Sequence, residues 1–121
     1  MNQLNGKYKM RKKQIVIDID GTMTVSGDAP DFYNISPNDA ELWFAKCKPN
    51  KPLIKKVNKL SKKFVICIWT ARSDLFQDVT IRWLKKHKVK YDFLHMGKPY
   101  AEFYVDDKFM SPEDFLNDTP N

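Results

Sequence analysis

The sequence predicts an α/β fold in which a small parallel sheet is flanked by helices. Short apolar runs at residues 14–19 and 64–69 are typical of strands buried on both faces. Amphipathic helical patterns at residues 52–60 and 75–87 follow these runs. Because strands alternate with helices, we expect parallel strands joined by right-handed crossovers.

The remaining elements are weaker and complete this alternation. Residues 91–94 and 102–105 are short strand candidates, and residues 21–35 are rich in loop-forming residues. Ser36-Pro37 predicts the start of a helix that runs to about residue 45, and Ser111-Pro112 predicts a last helical turn. We therefore expect a Rossmann-like three-layer sandwich with about four strands in the order 4-1-2-3.

Length and composition predict one globular domain in a reducing compartment. The 121 residues suffice for a single core, which we place at residues 14–121, and residues 1–13 have the polar, basic composition of a flexible tail. Cys47 and Cys67 are too few for a disulfide framework. No apolar stretch reaches the roughly 20 residues of a membrane span, and no secretory signal is evident, so we expect a cytoplasmic protein without a membrane partner.

The chain carries a formal charge of +6, from 21 Lys and Arg against 15 Asp and Glu. Such an excess can indicate nucleic acid or a phosphorylated metabolite as partner. A lysine-rich solvated surface explains it equally well. The charge alone does not choose between them.

Polar residues follow the predicted strands at their carboxyl ends. Asp18 and Asp20 follow the first strand, Thr70 follows the second, and Asp106-Asp107 follows the last, with Lys98 in the loop before it. Parallel strands bring these ends to one edge of the sheet, where open α/β folds bind ligands. Carboxylates without neighbouring His or Cys suit a hard cation such as Mg²⁺. Lysine and hydroxyl groups suit phosphate oxygens.

These motifs resemble those of the haloacid dehalogenase superfamily. The resemblance rests on four motifs in order, Asp18-x-Asp20-Gly21-Thr22, Thr70-Ala71-Arg72, Gly97-Lys98-Pro99 and Asp106-Asp107, and covers residues 15–107. With Asn34-x-x-Pro37 and Phe103-Tyr104-Val105-Asp106-Asp107-Lys108 in addition, the sequence is similar in particular to the small capless phosphatases of capsular polysaccharide biosynthesis. Neither the segment after the first motif nor that after the second is long enough for a cap domain, so we expect an open site.

The resemblance implies a Mg²⁺-dependent phosphatase. Asp18 would be the nucleophile, forming an aspartyl-phosphate, and Asp20 would be the acid and base. Mg²⁺ would be held by Asp18, the Asp20 carbonyl and the Asp106–Asp107 pair. Thr70 and Lys98 would bind the phosphoryl group. The further substrate-binding positions are Gly21, Thr22 and Arg72. For Arg72, a surface ion pair with Asp74 or Asp78 is an equal alternative.

The substrate is left open among several classes. The loop residues Asp31, Phe32 and Tyr33 could stack on or bond a sugar or base, and a core role is an equal alternative for Phe32. A sugar phosphate follows the closest resemblance, whereas a nucleotide or a polynucleotide 3′-phosphate follows the basic charge and the open site. A non-catalytic phosphate-binding module is a further alternative. A homo-oligomer could cover the open site.

Overall fold

Three parallel strands form the sheet on which the protein is built. The computed structural model describes residues 12–25, 27, 29–118 and 120. The strands are β1 (Gln14–Ile17), β2 (Val65–Trp69) and β3 (Phe93–His95), hydrogen-bonded in the order β1-β2-β3. Ile17 of β1 lies beside Ile68 of β2, which in turn lies beside Leu94 of β3. The α/β class and the parallel arrangement of these strands agree with the prediction.

Four α-helices accompany the sheet in the described part of the chain: α1 (Pro37–Ala45), α2 (Lys51–Leu60), α3 (Gln77–Lys86) and α4 (Pro112–Asn117). The Ser36 hydroxyl accepts a hydrogen bond from the Asp39 N–H and caps α1, as the Ser-Pro pattern predicts. Ser111 caps α4 in the same way. None of the described helices has the length and apolar character to cross a bilayer.

One face of the sheet packs against helices and forms the main core. Alternate residues of the strands point to this face, because successive side chains in a strand point to opposite sides. They pack with apolar residues of α2 and α3 in a core that includes Ile17, Ile19, Met23, Leu53, Ile54, Val57, Ile66, Ile68, Trp83 and Leu84. A smaller cluster of Ala40, Phe44 and Val79 joins α1 to α3.

The opposite face of the sheet is largely exposed among the described residues. Val16, Trp69 and Phe93 point to this face with 53%, 40% and 53% of their surface exposed. The three-layer sandwich predicted from the sequence is therefore not what the described residues form. The error arose because the apolar run of β1 was interpreted as burial on both faces, and Val16 lies on the uncovered side.

The predicted fourth strand, at residues 102–105, is absent from the described structure. This segment is irregular, and Phe103 and Val105 are 86% and 101% exposed. Its side chains bury too little surface to offset the entropy of ordering a strand. Within the described residues, β1 therefore forms an edge, and the predicted order 4-1-2-3 is observed only for its last three strands.

The predicted basic tail, residues 1–13, lies mostly outside the described residues. Lys13 is described, and its carbonyl accepts a hydrogen bond from the Val65 N–H at 2.8 Å. The pairing between β1 and β2 thus extends one residue before Gln14.

Candidate active site

A cleft of about 880 Å³ opens at the carboxyl end of the strands. Its floor carries Asp18, Asp20, Arg72 and Lys98. Its walls come from the loop at residues 29–36, the start and inner face of α1, the segment after β2 and the loop after β3. This volume lies within the range of small-molecule sites. The position at the strand ends is the one the sequence predicts.

Asp18 is the first residue after β1 and is partly buried. Burial raises the pKa of its carboxyl group above the ordinary value of 3.8, and the nearby Asp20 acts in the same direction. Lys98, the Ile19 N–H and Arg72 oppose this rise in pKa. Within the described chain, Asp18 forms no ion pair at salt-bridge distance. Its carboxyl group is therefore partly desolvated and not fixed by a cationic partner.

Asp20 is held by a two-point ion pair with Arg72. Arg72 Nε donates to Asp20 Oδ2 at 3.0 Å, and Arg72 Nη2 donates to Asp20 Oδ1 at 2.8 Å. The Arg72 side chain is 1% exposed and that of Asp20 is 37% exposed. This geometry fixes the orientation of the Asp20 carboxylate while leaving it open to the cleft.

Arg72 is itself fixed on its other sides. Its Nη1 donates to Thr80 Oγ1 at 3.0 Å, and that hydroxyl donates to the Phe76 carbonyl at 2.7 Å. Its guanidinium carbon lies 4.1 Å from the centre of the Phe44 ring. The surface ion pair with Asp74 or Asp78 considered from the sequence is not formed.

Each of the three guanidinium nitrogens donates one hydrogen bond within the protein, and the side chain is buried at the floor of the cleft. The expected contact of Arg72 with a substrate phosphate stays a prediction. The partnership with Asp20 was not predicted. The available signal was Thr80, a polar residue in the inner stripe of α3 that is completely buried and needs a partner.

Lys98 lies in the loop after β3 and lines the same cleft as Asp18 and Asp20. Gly97 precedes it with a φ of +76°, a conformation that favours glycine. The Lys98 N–H donates to the Thr70 carbonyl at 2.8 Å, which attaches the loop to the end of β2. The ammonium group lies 4.4 Å from the centre of the Tyr104 ring and 5.6 Å from that of Trp69. The structure thus places Lys98 in the cleft, as expected.

Thr70 is buried and stabilises the turn after β2. It is completely buried, it does not line the cleft, and its hydroxyl oxygen accepts a hydrogen bond from the Arg72 N–H at 3.1 Å. This contact shapes the turn that carries Arg72. Its expected contact with a phosphoryl group stays a prediction.

Gly21 and Thr22 turn the chain away from the cleft. Gly21 has a φ of +78°, and its N–H donates to Thr24 Oγ1 at 3.0 Å. The Thr22 carbonyl accepts from the Asn50 side chain at 3.1 Å. Neither residue lines the cleft, and their expected contact with substrate stays a prediction. They support the turn that places Asp20.

Asp106 and Asp107 are exposed and lie outside the cleft lining. The Lys108 N–H donates to Asp106 Oδ1 at 2.9 Å, and this backbone hydrogen bond is the main reason that the pKa of Asp106 is lowered. Lys108 Nζ lies 3.7 Å from Asp107 Oδ2 at the surface. The expected approach of this pair to Asp18 is not observed, because the strand that would deliver it has not formed.

Aromatic residues form much of the cleft wall, and they include Phe32 and Tyr33, for which the sequence left contact with a sugar or base open. Phe32 stacks on Phe44 with ring centres 5.3 Å apart, and Trp43 packs edge-on against Phe32 at 5.5 Å. Tyr33 and Tyr100 also line the cleft and are 95% and 84% exposed. Trp43 and Phe44 also belong to this wall, and the sequence did not assign them to the site.

The oxygen donors that could hold a metal are those of Asp18 and Asp20. Among the described residues, no cluster of three or more carboxylate, imidazole or thiolate side chains is preassembled. Mg²⁺ commonly keeps several waters and uses only one or two protein carboxylates. The pair at the end of β1 therefore fits the chemistry of that ion.

Comparisons with known proteins relate the chain to three solved structures. A structural genomics target from Vibrio cholerae shares 26% identity with a TM-score of 0.69, over 87% of this chain and 88% of that one. A chain of a Pnkp1/Rnl/Hen1 complex shares 24% identity with a TM-score of 0.57, over 91% of this chain and 36% of that one. A chain of a Pnkp1/Rnl/Hen1 RNA repair complex shares 19% identity with a TM-score of 0.55, over 88% and 30%.

The two likenesses to chains of the Pnkp1/Rnl/Hen1 complexes show a shared fold, and this chain spans about a third of those longer chains. No protein-family model and no curated protein sequence matches the chain.

Proposed function

We propose that this protein is a Mg²⁺-dependent phosphomonoester hydrolase in which Asp18 is the nucleophile. The observation that supports the proposal is that two carboxylates in one cleft have different environments. Asp18 is desolvated and has no ion pair among the described residues, whereas Asp20 is fixed at both oxygens by Arg72. One group is available to attack and the other is oriented to move a proton.

The chemistry follows from these positions. A carboxylate oxygen of Asp18 attacks phosphorus, the bond to the ester oxygen breaks, and an aspartyl-phosphate forms. In its protonated form Asp20 donates a proton to the departing oxygen, and the carboxylate that results then takes a proton from the water that hydrolyses the intermediate. The Asp20 oxygens each retain a lone pair beyond the bond to Arg72, and the side chain is 37% exposed, so substrate and water can reach it.

Lys98 would supply fixed positive charge beside the reacting group. It lines the cleft with Asp18 and favours the charged form of that carboxyl group. A cation positioned where negative charge develops on the phosphoryl oxygens stabilises the transition state. Its orientation is supported by the Tyr104 and Trp69 rings.

Mg²⁺ would be held by Asp18 together with the Asp20 backbone carbonyl. The metal supplies charge neutralisation at the phosphoryl oxygens when it is bound. Asp106 and Asp107 would join this set only if residues 102–107 took a different arrangement from the one described. The site in the described arrangement relies on the first pair.

The substrate proposed first is a small phosphomonoester such as a sugar phosphate. A polynucleotide 3′-phosphate is the second candidate, favoured by the shared fold with chains of an RNA repair complex and by the net charge of +6. The wide cleft is compatible with either substrate.

The test is phosphate release by the full chain and by Asp18→Asn. We expect the unmodified protein to hydrolyse an aryl phosphate in the presence of Mg²⁺, and Asp18→Asn to lose this activity because an amide cannot form the intermediate. Asp78→Asn is the matched control, since Asp78 is exposed on α3 and does not line the cleft. Turnover retained by Asp18→Asn would refute the nucleophile assignment.

A panel of sugar phosphates, nucleotides and 3′-phosphorylated oligonucleotides, assayed side by side, would identify the substrate class. Failure of the unmodified protein on the whole panel would favour a phosphate-binding module. A metallofluoride trapped on Asp18 would support catalysis by a readout that needs no substrate.

A further inference from the structure

Two aromatic side chains in the cleft form neither ring contacts nor side-chain hydrogen bonds with the described residues. Tyr33 and Tyr100 both line the cleft and are 95% and 84% exposed. Among the described residues, neither ring packs on another ring and neither hydroxyl forms a hydrogen bond. They lie on different loops, one before α1 and one after β3.

The other aromatic residues of the cleft have partners. Phe32, Trp43, Phe44 and Phe76 pack on one another with ring centres 4.9 to 5.5 Å apart. The Tyr104 ring supports Lys98, and its hydroxyl donates to the Pro99 carbonyl. These residues build the wall, and Tyr33 and Tyr100 remain available to a ligand.

The polar side chains of this part of the cleft are few, and each accepts a hydrogen bond from the local backbone. Asp31 accepts hydrogen bonds from the Tyr33 N–H and the Asn34 side chain, Ser36 caps α1, and Ser73 accepts from the Leu75 N–H. A sugar ring needs several donors and acceptors for its hydroxyl groups. A planar heterocycle needs mainly a flat apolar surface, which two exposed tyrosine rings offer.

We infer that Tyr33 and Tyr100 bind a nucleobase in the leaving group, so that the preferred substrate is a nucleotide or a nucleotide at a polymer end. This inference rests on the proposed phosphatase function, since it places the phosphate at Asp18 and Lys98. It replaces the sugar phosphate as the preferred substrate. A nucleobase from either source presents the same flat face to the tyrosines.

The experiment measures equilibrium binding to Asp18→Asn, which holds substrate without turning it over. Titration calorimetry would compare a nucleoside monophosphate, ribose phosphate, a hexose phosphate and a 3′-phosphorylated oligonucleotide. Base stacking predicts that the nucleotide binds about tenfold more tightly than ribose phosphate. The oligonucleotide arm distinguishes the two sources, because a polymer-end substrate would bind more tightly than the free nucleotide.

Substitutions assign the effect to the two rings. In the Asp18→Asn background, Tyr33→Leu and Tyr100→Leu should each weaken nucleotide binding by about tenfold while leaving ribose phosphate unchanged. Tyr33→Phe and Tyr100→Phe should retain affinity, because the ring is kept. Phe103→Leu is the matched control, since Phe103 is 86% exposed and outside the cleft lining.

The results separate this inference from the proposed function. Equal binding of nucleotide and ribose phosphate, tighter binding of the hexose phosphate, or equal losses for all ligands would overturn the role of the tyrosines. Tyrosine-dependent nucleotide binding without phosphate release by the unmodified protein would support base binding by the two tyrosines and would overturn the phosphatase function. Phosphate release that does not depend on the base or on either tyrosine would support the phosphatase function and overturn base binding by the two tyrosines.

Discussion

Replacing Asp20 by Asn should destabilise the protein, whereas the same change at Asp18 should not. Asp20 is the partner of an Arg72 side chain that is 1% exposed. Removing one partner of a fully buried ion pair costs about 3–5 kcal/mol, because the other charge is left uncompensated. Since 37% of the Asp20 side chain is exposed and water can partly replace it, we expect a loss of about 2–3 kcal/mol for Asp20→Asn.

Asp18 provides the control for the same chemical change two residues away. It has no ion pair in the described structure, and burial disfavours its charged form. Asp18→Asn removes that penalty, so its free energy of unfolding at neutral pH should equal or exceed that of the unmodified protein.

Urea denaturation followed by tryptophan fluorescence measures both variants. With a slope of about 1.5 kcal/mol/M, Asp20→Asn should lower the midpoint by roughly 1.5 M and leave the slope unchanged. Adding Arg72→Met to Asp20→Asn should recover part of the loss, because a pair of uncharged side chains leaves no buried charge. Equal stability of the two Asn variants, or additive losses in the double variant, would refute the reasoning.

Two further predictions concern pH and charge. Because the pKa of Asp18 in the folded protein is raised above 3.8, its contribution to stability is present below that value and is lost as the pH rises through the folded pKa. Urea midpoints measured at several pH values should therefore show the stability of Asp18→Asn increasing relative to that of the unmodified protein as the pH rises from 4. A stability difference that does not change with pH would contradict this. Lys98→Met should lower the rate of phosphate release by about 10²–10³-fold, which is the usual loss when one transition-state donor is removed. Lys62→Met is the control and should leave the rate unchanged, because Lys62 is exposed and outside the cleft lining. Equal rates for the two variants would exclude Lys98 from the site.

Local patterns in the sequence predicted the helices and the first strands well. Ser36 and Ser111 mark helix starts because a hydroxyl followed by proline satisfies free backbone N–H groups, and this depends only on neighbouring residues. The apolar run at Val65–Trp69 forms a strand for a similar local reason. Asp18, Asp20 and Lys98 meet because the ends of parallel strands share an edge.

The parts that were missed depend on contacts between distant segments. Arg72 and Asp20 are 52 residues apart, and nothing local to either one indicates that they pair. Residues 102–105 have the composition of a strand, but a strand also needs a partner and a face to cover. Val105 is exposed, so residues 102–105 neither pair with a strand nor cover a face of the sheet in the described structure.

Trp69 lies close enough to Lys98 to report on the site by its fluorescence. Its ammonium group lies 5.6 Å from the centre of the Trp69 ring, which is 40% exposed at the end of β2. Trp83, in contrast, is 2% exposed and donates its indole N–H to the Cys47 carbonyl, which shields it from changes in the cleft. Because an anion bound at Lys98 would alter the charge beside Trp69, we expect occupancy of the cleft to change the tryptophan emission, to which Trp43 in the cleft lining also contributes.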